Sequence, residues 1–385
     1  MNFVHHNWEK IYMIENKKKK RGKKKWIIFA FLLIIITFFL NQPEFGKLPS
    51  GDDLKYIKES PNYKTGKFHN QIETKNFNSE RSFFRNIYEM LTMRNPNSKP
   101  NIIIPTQKTI LKDLDKDENI IVWLGHSSLY IQLNGKKILV DPVLSTYASP
   151  LSFLNKAFEG TNLYTVDEIP DIDVLLITHD HWDHLDYNTI KGLKDRIELV
   201  ICPLGVGSHL KHWKYNSQKI KEVDWDDTLM LGSLKLYALP ARHFSGRSIR
   251  PNKSLWASYL LESNDTKIFI SGDTGYGPHF REIGKKFGKI DLAIIENGQY
   301  NTNGWPDIHI WPEQTIMAAK ELNAKEVLPV HNSKFDLSKH DWYEPNEKLS
   351  ELMENEEAKL LTPMIGEVLK IKGKNVFKKW WILGD

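Results

Sequence analysis

Apolar residues in this chain follow two patterns, one long run near the N-terminus and many short runs after residue 118. The long run extends from Trp26 to Leu40, and a proline follows three residues later. Between the two patterns, residues 41–117 are mostly polar and contain six prolines. Polar stretches with repeated prolines are typical of connecting segments. We therefore predict a linker and N-terminal arm over 41–117 and a folded domain over 118–385.

The short runs have the length of β-strands, and helical patterns lie between several of them. Asn134-Gly135 joins two of the runs, and this residue pair favours a tight hairpin turn. The predicted strands are Ile120 to Leu124, Ser127 to Leu133, Lys137 to Val140, Val174 to Thr178, Glu198 to Cys202, Leu234 to Leu239, Trp256 to Leu261, Lys267 to Ser271, Leu292 to Glu296 and Val327 to Val330. The predicted helices are Tyr187 to Leu193, Phe280 to Phe287 and Pro312 to Leu322. Strands mixed with helices along one stretch predict an α/β domain of layered sheets with outer helices.

Residues 26–40 are apolar on every side of a helix and follow a basic segment, so we predict a transmembrane signal anchor there. This run would form a helix of about 22 Å at about 1.5 Å per residue, which is short for a bilayer core of roughly 30 Å. A cleaved signal peptide is the alternative, although no small-residue cleavage site follows Leu40. The preceding cations predict a cytoplasmic N-terminus, with the body of the protein across the membrane.

The net charge of +5 is concentrated in a basic N-terminal tail, residues 1–25. Nine Lys or Arg against two Glu give this tail +7, so the remaining 360 residues sum to −2. That balance argues against a nucleic-acid-binding surface on the body. The single cysteine, Cys202, excludes an internal disulfide and a cysteine-based zinc finger. Any bound metal must therefore be held by histidines and carboxylates.

A cluster of histidine and aspartate directly follows the apolar strand predicted to end at Thr178. It contains His179, His181, Asp183 and His184 within six residues. Neutral imidazole nitrogens and carboxylate oxygens are the natural ligands for zinc and similar cations. We therefore predict that these four side chains bind metal, two of them serving one ion and two a neighbouring ion.

Three isolated residues occupy similar positions after later strands: His243, Asp273 and His331. Each alone would be weak evidence, because histidine and aspartate are common in loops. Their repeated position just beyond a strand end, together with the first cluster, makes a shared site the better interpretation. Seven ligands are enough for two ions with one shared carboxylate and an open coordination position.

These motifs resemble the metallo-β-lactamase fold and, within it, the phospholipase D family that hydrolyses N-acylphosphatidylethanolamine. The likeness to the fold lies in His179-x-His181-x-Asp183-His184, Pro240-Ala-Arg-His243, Ser271-Gly-Asp273-Thr and Val330-His331. The likeness to the phospholipase D family lies in Leu124-Gly-His126-Ser-Ser128, Val140-Asp141-Pro142-Val, Tyr300, Pro306-Asp-Ile-His309 and Pro312-Glu313-Gln. The chain departs from the family at Asn332-Ser333, where Trp-Gly is common.

The resemblance implies that the domain over 118–385 is a catalytic domain with a four-layer αββα sandwich and two zinc ions, and manganese or iron would also suit these ligands. It assigns the first zinc to His179, His181 and His243, the second to Asp183, His184 and His331, and the bridging position to Asp273. It also implies that His309 contacts the phosphate of the substrate. The residues expected to act in catalysis are thus Asp183, Asp273 and His309.

The function implied by the resemblance is a membrane-anchored zinc hydrolase that cleaves a phosphodiester, such as the headgroup of N-acylphosphatidylethanolamine. A pair of cations about 3.5–4 Å apart lowers the pKa of a bound water and supplies hydroxide near neutral pH. A lactonase or another carbon-ester or amide hydrolase would use the same metals and is the main alternative, with a small-molecule substrate. A binding protein with structural zinc is disfavoured, because such sites are usually closed and rich in cysteine. A homo-oligomer remains compatible with the sequence.

Four polar residues outside the ligand set have structural alternatives. We expect His126 to orient a loop at a strand end rather than to bind metal. Asp141 is either a partner that fixes the tautomer of a ligand imidazole or a cap of the turn at Pro142. His209 and His212 lie three residues apart on a short helical stretch, and we predict that both are exposed on the surface.

Overall fold

The computed structural model of this protein describes residues 12, 23–76, 95–247, 249–263, 265–301 and 304–382. Residues 1–46 and residues 47–385 form two compact units. In the first unit, helix α1 covers residues 23–40 and so contains the predicted anchor 26–40, and a 3-10 helix follows at Pro43–Phe45. Most of the predicted basic tail lies outside the described residues. Within the described part of the chain, every helix falls short of the length and apolar character that crossing a bilayer requires.

The second unit contains the remaining helices and all the strands that the structure describes. The helices are α2 Gly51–Glu59, α3 Tyr187–Leu193, α4 Gly207–His212, α5 His279–Phe287, α6 Pro312–Glu321 and α7 Glu344–Leu352, with 3-10 helices at Leu111–Asp113, Val166–Glu168, Lys194–Arg196 and Ser217–Lys219. The strands are β1 Tyr63–Lys64, β2 Lys67–Phe68, β3 Ile120–Trp123, β4 Leu129–Leu133, β5 Lys136–Val140, β6 Ile172–Leu176, β7 Ile197–Pro203, β8 Ile220–Val223, β9 Thr228–Leu231, β10 Leu234–Leu239, β11 Ser258–Glu262, β12 Lys267–Ile270, β13 Ile290–Glu296, β14 Ala324–Val330, β15 Lys359–Leu360 and β16 Val368–Lys370.

Two seven-stranded mixed sheets form the framework of this unit, in addition to the small β1–β2 hairpin. The first sheet has the order β16-β3-β4-β5-β6-β7-β8, and the second has the order β15-β14-β13-β12-β11-β10-β9. In the first sheet, the pairings from β16 to β5 are antiparallel and those from β5 to β8 are parallel. The second sheet has antiparallel pairings from β9 to β12 and parallel pairings from β12 to β15. The prediction of an α/β fold with layered sheets is confirmed.

Alternate residues of the central strands enter different cores, because successive side chains of a strand point to opposite faces. Ile131 of β4 belongs to a cluster that also holds residues of the second sheet, whereas its neighbour Tyr130 packs in a cluster with α3 and α4. On β13, Ile294 enters the cluster shared by the sheets, and Ala293 packs with α5, α6 and α7. The layers therefore follow the order helices, first sheet, second sheet, helices.

The hairpin between β4 and β5 turns at Asn134 and Gly135, which both have positive φ, as a type I′ turn requires. The arm before the sheets also contributes to the core. Ile57 of α2 and Phe68 of β2 are buried in the cluster between the sheets.

Candidate metal centre

The strand ends of the two sheets bring the predicted ligands together. The segment from His179 to His184 begins three residues after β6 ends, and His331 directly follows β14. Asp273 comes three residues after β12, and His243 four residues after β10. Loops at strand ends are the common location of chemistry, because the sheets hold them in place.

The first set of ligand atoms consists of three imidazole nitrogens and one carboxylate oxygen. His181 Nδ1 lies 2.9 Å from His179 Nε2 and 3.3 Å from His243 Nε2. Asp273 Oδ2 lies 3.8 Å from His179 Nε2 and 3.7 Å from His243 Nε2. All four side chains offer atoms within 4.8 Å of one another, so they could hold one metal ion.

The second set of ligand atoms adjoins the first at Asp273. His184 Nε2 lies 3.1 Å from Asp273 Oδ1, and His331 Nε2 lies 3.1 Å from Asp273 Oδ2. Asp183 Oδ2 lies 3.5 Å from His184 Nε2 and 3.4 Å from His331 Nε2. Asp273 therefore lies beside both sets, as the sequence predicts for a bridging residue.

The chemistry of this cluster fits a bound cation. His184 Nε2 and Asp273 Oδ1 are buried and lie 3.1 Å apart, but neither makes a hydrogen bond within the described structure. Burial alone would lower the pKa of His331, but the carboxylates of Asp273 and Asp183 raise it to about 10. Two buried carboxylates thus attract positive charge, which a metal ion would supply. Burial lowers the pKa of His179 and His243 well below the usual value, so these rings are neutral, as metal ligands must be.

Further partners fix the orientation of the ligand imidazoles. Asp141 Oδ2 accepts a hydrogen bond from His184 Nδ1 at 2.8 Å and one from the Thr178 hydroxyl at 2.6 Å. His243 Nδ1 lies 3.0 Å from the Ile308 carbonyl, to which it donates. In both rings Nε2 is therefore the nitrogen that faces the site. Fixing the orientation of an imidazole in this way is the usual role of such partners around a metal. Of the two interpretations of Asp141, the structure shows the contact with the imidazole of a predicted ligand, His184.

His126 contacts one of the predicted ligands. Its Nε2 lies 2.9 Å from Asp183 Oδ2 and must carry the proton, because an ionised carboxylate only accepts hydrogen bonds. Burial lowers the pKa of His126 to about 3, so the ring is neutral. Its backbone φ is 53°, at the loop between β3 and β4. His126 therefore holds the Asp183 side chain in place.

Glu296 is a buried carboxylate that the sequence analysis did not single out. Its Oε2 lies 3.0 Å from His309 Nδ1 and 3.7 Å from His331 Nδ1, and its Oε1 accepts from the Ile310 amide at 2.7 Å. The rings of His309 and His331 are stacked, with centroids 5.0 Å apart. The sequence did contain a signal for Glu296 as a site residue. It is the last residue of a predicted apolar strand, and the other site residues come just after the ends of such strands.

The prediction that His209 and His212 are both exposed is wrong for His209. His209 is fully buried, because α4 packs its side chain against the loop of the first ligand set. Its Nε2 lies 3.2 Å from Asp180 Oδ2, and Asp180 also accepts from the Ser254 hydroxyl and the Gly246 amide. These hydrogen bonds fix Asp180, and with it the segment that carries His179 and His181. His212 is exposed, as predicted.

The ligand sets border a cavity of about 170 Å³. Its apolar wall is formed by Phe244, Trp305, Ile308 and Leu337, and Gln299 and His309 add polar groups. The loop after Asp273 approaches this wall closely at Gly275, where a Cβ atom would lie only 1.6 Å from the Asp307 carbonyl oxygen. The cavity gives a ligand direct access to the carboxylates and imidazoles of the site.

Comparison with known proteins places this architecture in a family. A sequence model described as "Beta-lactamase superfamily domain" matches residues 136–332. An uncharacterized protein of Mycobacterium tuberculosis is 34% identical over 331 residues, which is 85% of this chain and 88% of that protein. The solved structure of Igni18, a metallo hydrolase from Ignicoccus hospitalis, covers 66% of this chain and 99% of its own, with a TM-score of 0.53 and 19% identity.

Two relatives carry the name N-acyl-phosphatidylethanolamine-hydrolyzing phospholipase D. The Caenorhabditis elegans protein is 28% identical over 66% of this chain and 75% of its own length. The mitochondrial protein of Saccharomyces cerevisiae is 36% identical over 60% of this chain and 51% of its own length. The chain therefore belongs to the metallo-β-lactamase superfamily, as a metal-dependent hydrolase related to these phospholipases.

Proposed function

We propose that this protein is a dinuclear zinc hydrolase that cleaves a phosphodiester in a phospholipid headgroup, with N-acylphosphatidylethanolamine as the first candidate. The observation that carries the proposal is the pair of adjoining ligand sets beside a cavity, with the Asp273 carboxylate 3.1 to 3.8 Å from four of their imidazoles. The names of the two phospholipase relatives support the choice of substrate.

His179, His181 and His243 would hold the first ion, and Asp183, His184 and His331 the second, with Asp273 between them. Together, the bound ions would supply Lewis acidity and a water that ionises near neutral pH. The protein contributes a preformed arrangement, because Asp141, His126 and the Ile308 carbonyl already hold three of these side chains in position.

His309 is placed to contact the substrate. Because Nδ1 faces Glu296, Nε2 is the nitrogen left to face the cavity that His309 lines. When both ring nitrogens carry a proton, Nδ1 donates to Glu296, and Nε2 can donate to a non-bridging phosphate oxygen and stabilise the charge that develops there. The apolar wall next to it, with Phe244, Trp305 and Leu337, suits the hydrocarbon part of a lipid.

The substrate class is tested with the full chain loaded with zinc. We expect it to release phosphatidic acid and N-acylethanolamine from vesicles that contain N-acylphosphatidylethanolamine, and to cleave bis-p-nitrophenyl phosphate. Hydrolysis of homoserine lactones without either phosphodiester reaction would favour the lactonase alternative. Metal that raises the melting temperature without any turnover would favour a binding protein.

A matched pair of histidine variants separates the role of His309 from a general effect. We expect His309→Gln to keep both metal ions and to lose phosphodiester cleavage, because the cavity-facing donor changes. The control His212→Gln changes an exposed histidine outside the site and should retain turnover. Equal activity of the two variants would contradict the assigned role of His309.

We also propose that residues 26–40 hold the protein at a membrane, with a cytoplasmic N-terminus and the catalytic domain on the other side. The large apolar side chains from Trp26 to Phe38 are 46–73% exposed, and exposed apolar area of this extent is unfavourable in water. Charged substitutions at Leu33 and Ile34 in the full chain should abolish its flotation with lipid vesicles. Unchanged flotation would contradict the proposal, and protease protection would test the topology.

A further inference from the structure

The N-terminal arm reaches the candidate metal centre through Asn70. The side-chain Oδ1 of Asn70 accepts a hydrogen bond from the His243 amide at 3.0 Å, and its Nδ2 donates to the His243 carbonyl at 2.8 Å. The Trp256 indole donates to the same Oδ1 at 3.1 Å. One side chain thus satisfies both backbone groups of a predicted metal ligand, in the way that a neighbouring strand would.

The next residues of the arm hold the neighbours of His243. The Arg242 guanidinium donates to the Thr74 hydroxyl at 3.1 Å and to the Glu73 carbonyl at 3.1 Å. It also pairs with Asp307 Oδ2 at 3.0 Å, and the Lys75 amide donates to the same oxygen at 2.9 Å. Residues 73–75 therefore form hydrogen bonds with two different loops of the site, those that contain Arg242 and Asp307.

These contacts connect the arm, His243 and the loop that contains Asp307. Asp307 directly precedes Ile308, whose carbonyl lies 3.0 Å from His243 Nδ1. Ile308 and His309 line the cavity, so the arm contacts both the ligand and the loop that forms the cavity wall. The arm lies outside residues 136–332, the part of the chain that matches the superfamily domain.

We propose that residues 70–75 are a built-in positioning element of the metal centre, in which Asn70 fixes the backbone of His243. The inference rests on the proposed function, since it assumes that His243 binds metal. Without Asn70, the His243 amide and carbonyl lose these partners, while the hydrogen bond from Nδ1 to the Ile308 carbonyl remains. Loss of partners that orient a metal ligand typically costs about 10–100-fold in metal affinity.

The experiment compares two asparagines of the arm in the full chain, with Co²⁺ as the probe. Asn70→Ala removes the contacts to His243, whereas Asn62→Ala removes a contact of the same arm with Asp224, just after β8. Affinity is measured by competition with a chelator, coordination by the visible absorption of bound Co²⁺, and folding by thermal unfolding. We expect Asn70→Ala to bind Co²⁺ about 10–100-fold more weakly, with an altered spectrum. Asn62→Ala should match the wild type in both metal readouts.

A third variant covers the case in which Asn70→Ala does not fold. Asn70→Asp keeps an acceptor for the His243 amide but loses the donor to its carbonyl, so its Co²⁺ affinity should fall between those of the alanine variant and the wild type. Wild-type affinity and spectrum in a folded Asn70 variant would overturn this inference alone. A wild-type chain that binds no Co²⁺ would overturn the proposed metal centre and the inference with it.

Discussion

The two large sheets have the same plan, with antiparallel pairings at one end and parallel pairings at the other, but they supply the site in different ways. The first sheet contributes four predicted ligands from one segment, His179 to His184, in the loop that follows β6. The second contributes single residues from separate strand ends, His243, Asp273 and His331. A local motif is thus completed by side chains that only the tertiary fold brings close.

The two contributions also depend on different kinds of support. The loop of the first sheet is held by Asp141 and His209 of the same half of the domain, and also by Ser254 and Gly246, which lie between β10 and β11 of the second sheet. His243 of the second sheet is held by the arm and by the Ile308 carbonyl. The comparison teaches that the loop after β6 is held from both halves of the domain and His243 from the arm, so variants of the arm test the contribution of the second sheet.

The largest expected effect is at the residue on which the two halves converge. Asp273→Asn removes one carboxylate charge between the ligand sets. Loss of a residue that only orients a metal ligand costs about 10–100-fold, and we expect turnover to fall by more than this. Metal content, measured by elemental analysis, should fall as well. The control Asp265→Asn alters an exposed aspartate in the turn between β11 and β12 and should leave both unchanged. Two-metal occupancy with normal turnover in Asp273→Asn would contradict the shared role of Asp273.

The next prediction tests whether the two sheets contribute equally to stability. Leu176→Ala on β6 and Leu328→Ala on β14 each remove a buried side chain from the cluster between the sheets. Each should lower the free energy of unfolding by about 2–5 kcal/mol, because a cavity remains. Urea denaturation measures this, with Met230→Ala, 60% exposed on β9, as a control expected within about 0.5 kcal/mol of the wild type. A loss of less than about 0.5 kcal/mol in either leucine variant would contradict an equal contribution of the two sheets.

The smallest effects should distinguish the supporting carboxylates of the two sheets. Asp141 lies 2.8 Å from His184 Nδ1, whereas Glu296 lies 3.7 Å from His331 Nδ1 but 3.0 Å from His309 Nδ1. Asp141→Asn should therefore weaken metal binding by about 10–100-fold, and Glu296→Gln should lower kcat while metal affinity is retained. Chelator competition and steady-state kinetics separate the two outcomes. Weaker metal binding by Glu296→Gln with an unchanged kcat at saturating metal would contradict the role assigned to its contact with His309.

The sequence predicts the parts of the fold and site that depend on local patterns. The short apolar runs predict most strands, and the Asn134-Gly135 turn and the cluster from His179 to His184 can be read from adjacent residues. The superfamily and the hydrolase class, inferred from the motifs, are confirmed. The assignment of individual metal ligands and of zinc stays a prediction.

Contacts between distant segments could not be predicted in the same way. His209 looks like a surface residue on a short amphipathic stretch, and only the packing of α4 against the Asp180 loop buries it. Glu296 belongs to the site because it contacts His309, which stacks on His331, and only the folded chain brings these residues together. Asn70 lies 173 positions before His243, in a polar segment without any motif that we could interpret.

The pairing of β16 with β3 has a consequence for synthesis of the protein. The second sheet is assembled from residues 228–360, which are continuous in the chain, but the first sheet takes its edge strand from Val368–Lys370. While the ribosome is still translating, β3 therefore exposes unpaired amide and carbonyl groups, a state in which strands readily pair with other chains. A nascent chain arrested before residue 368 would be the species most in need of a chaperone.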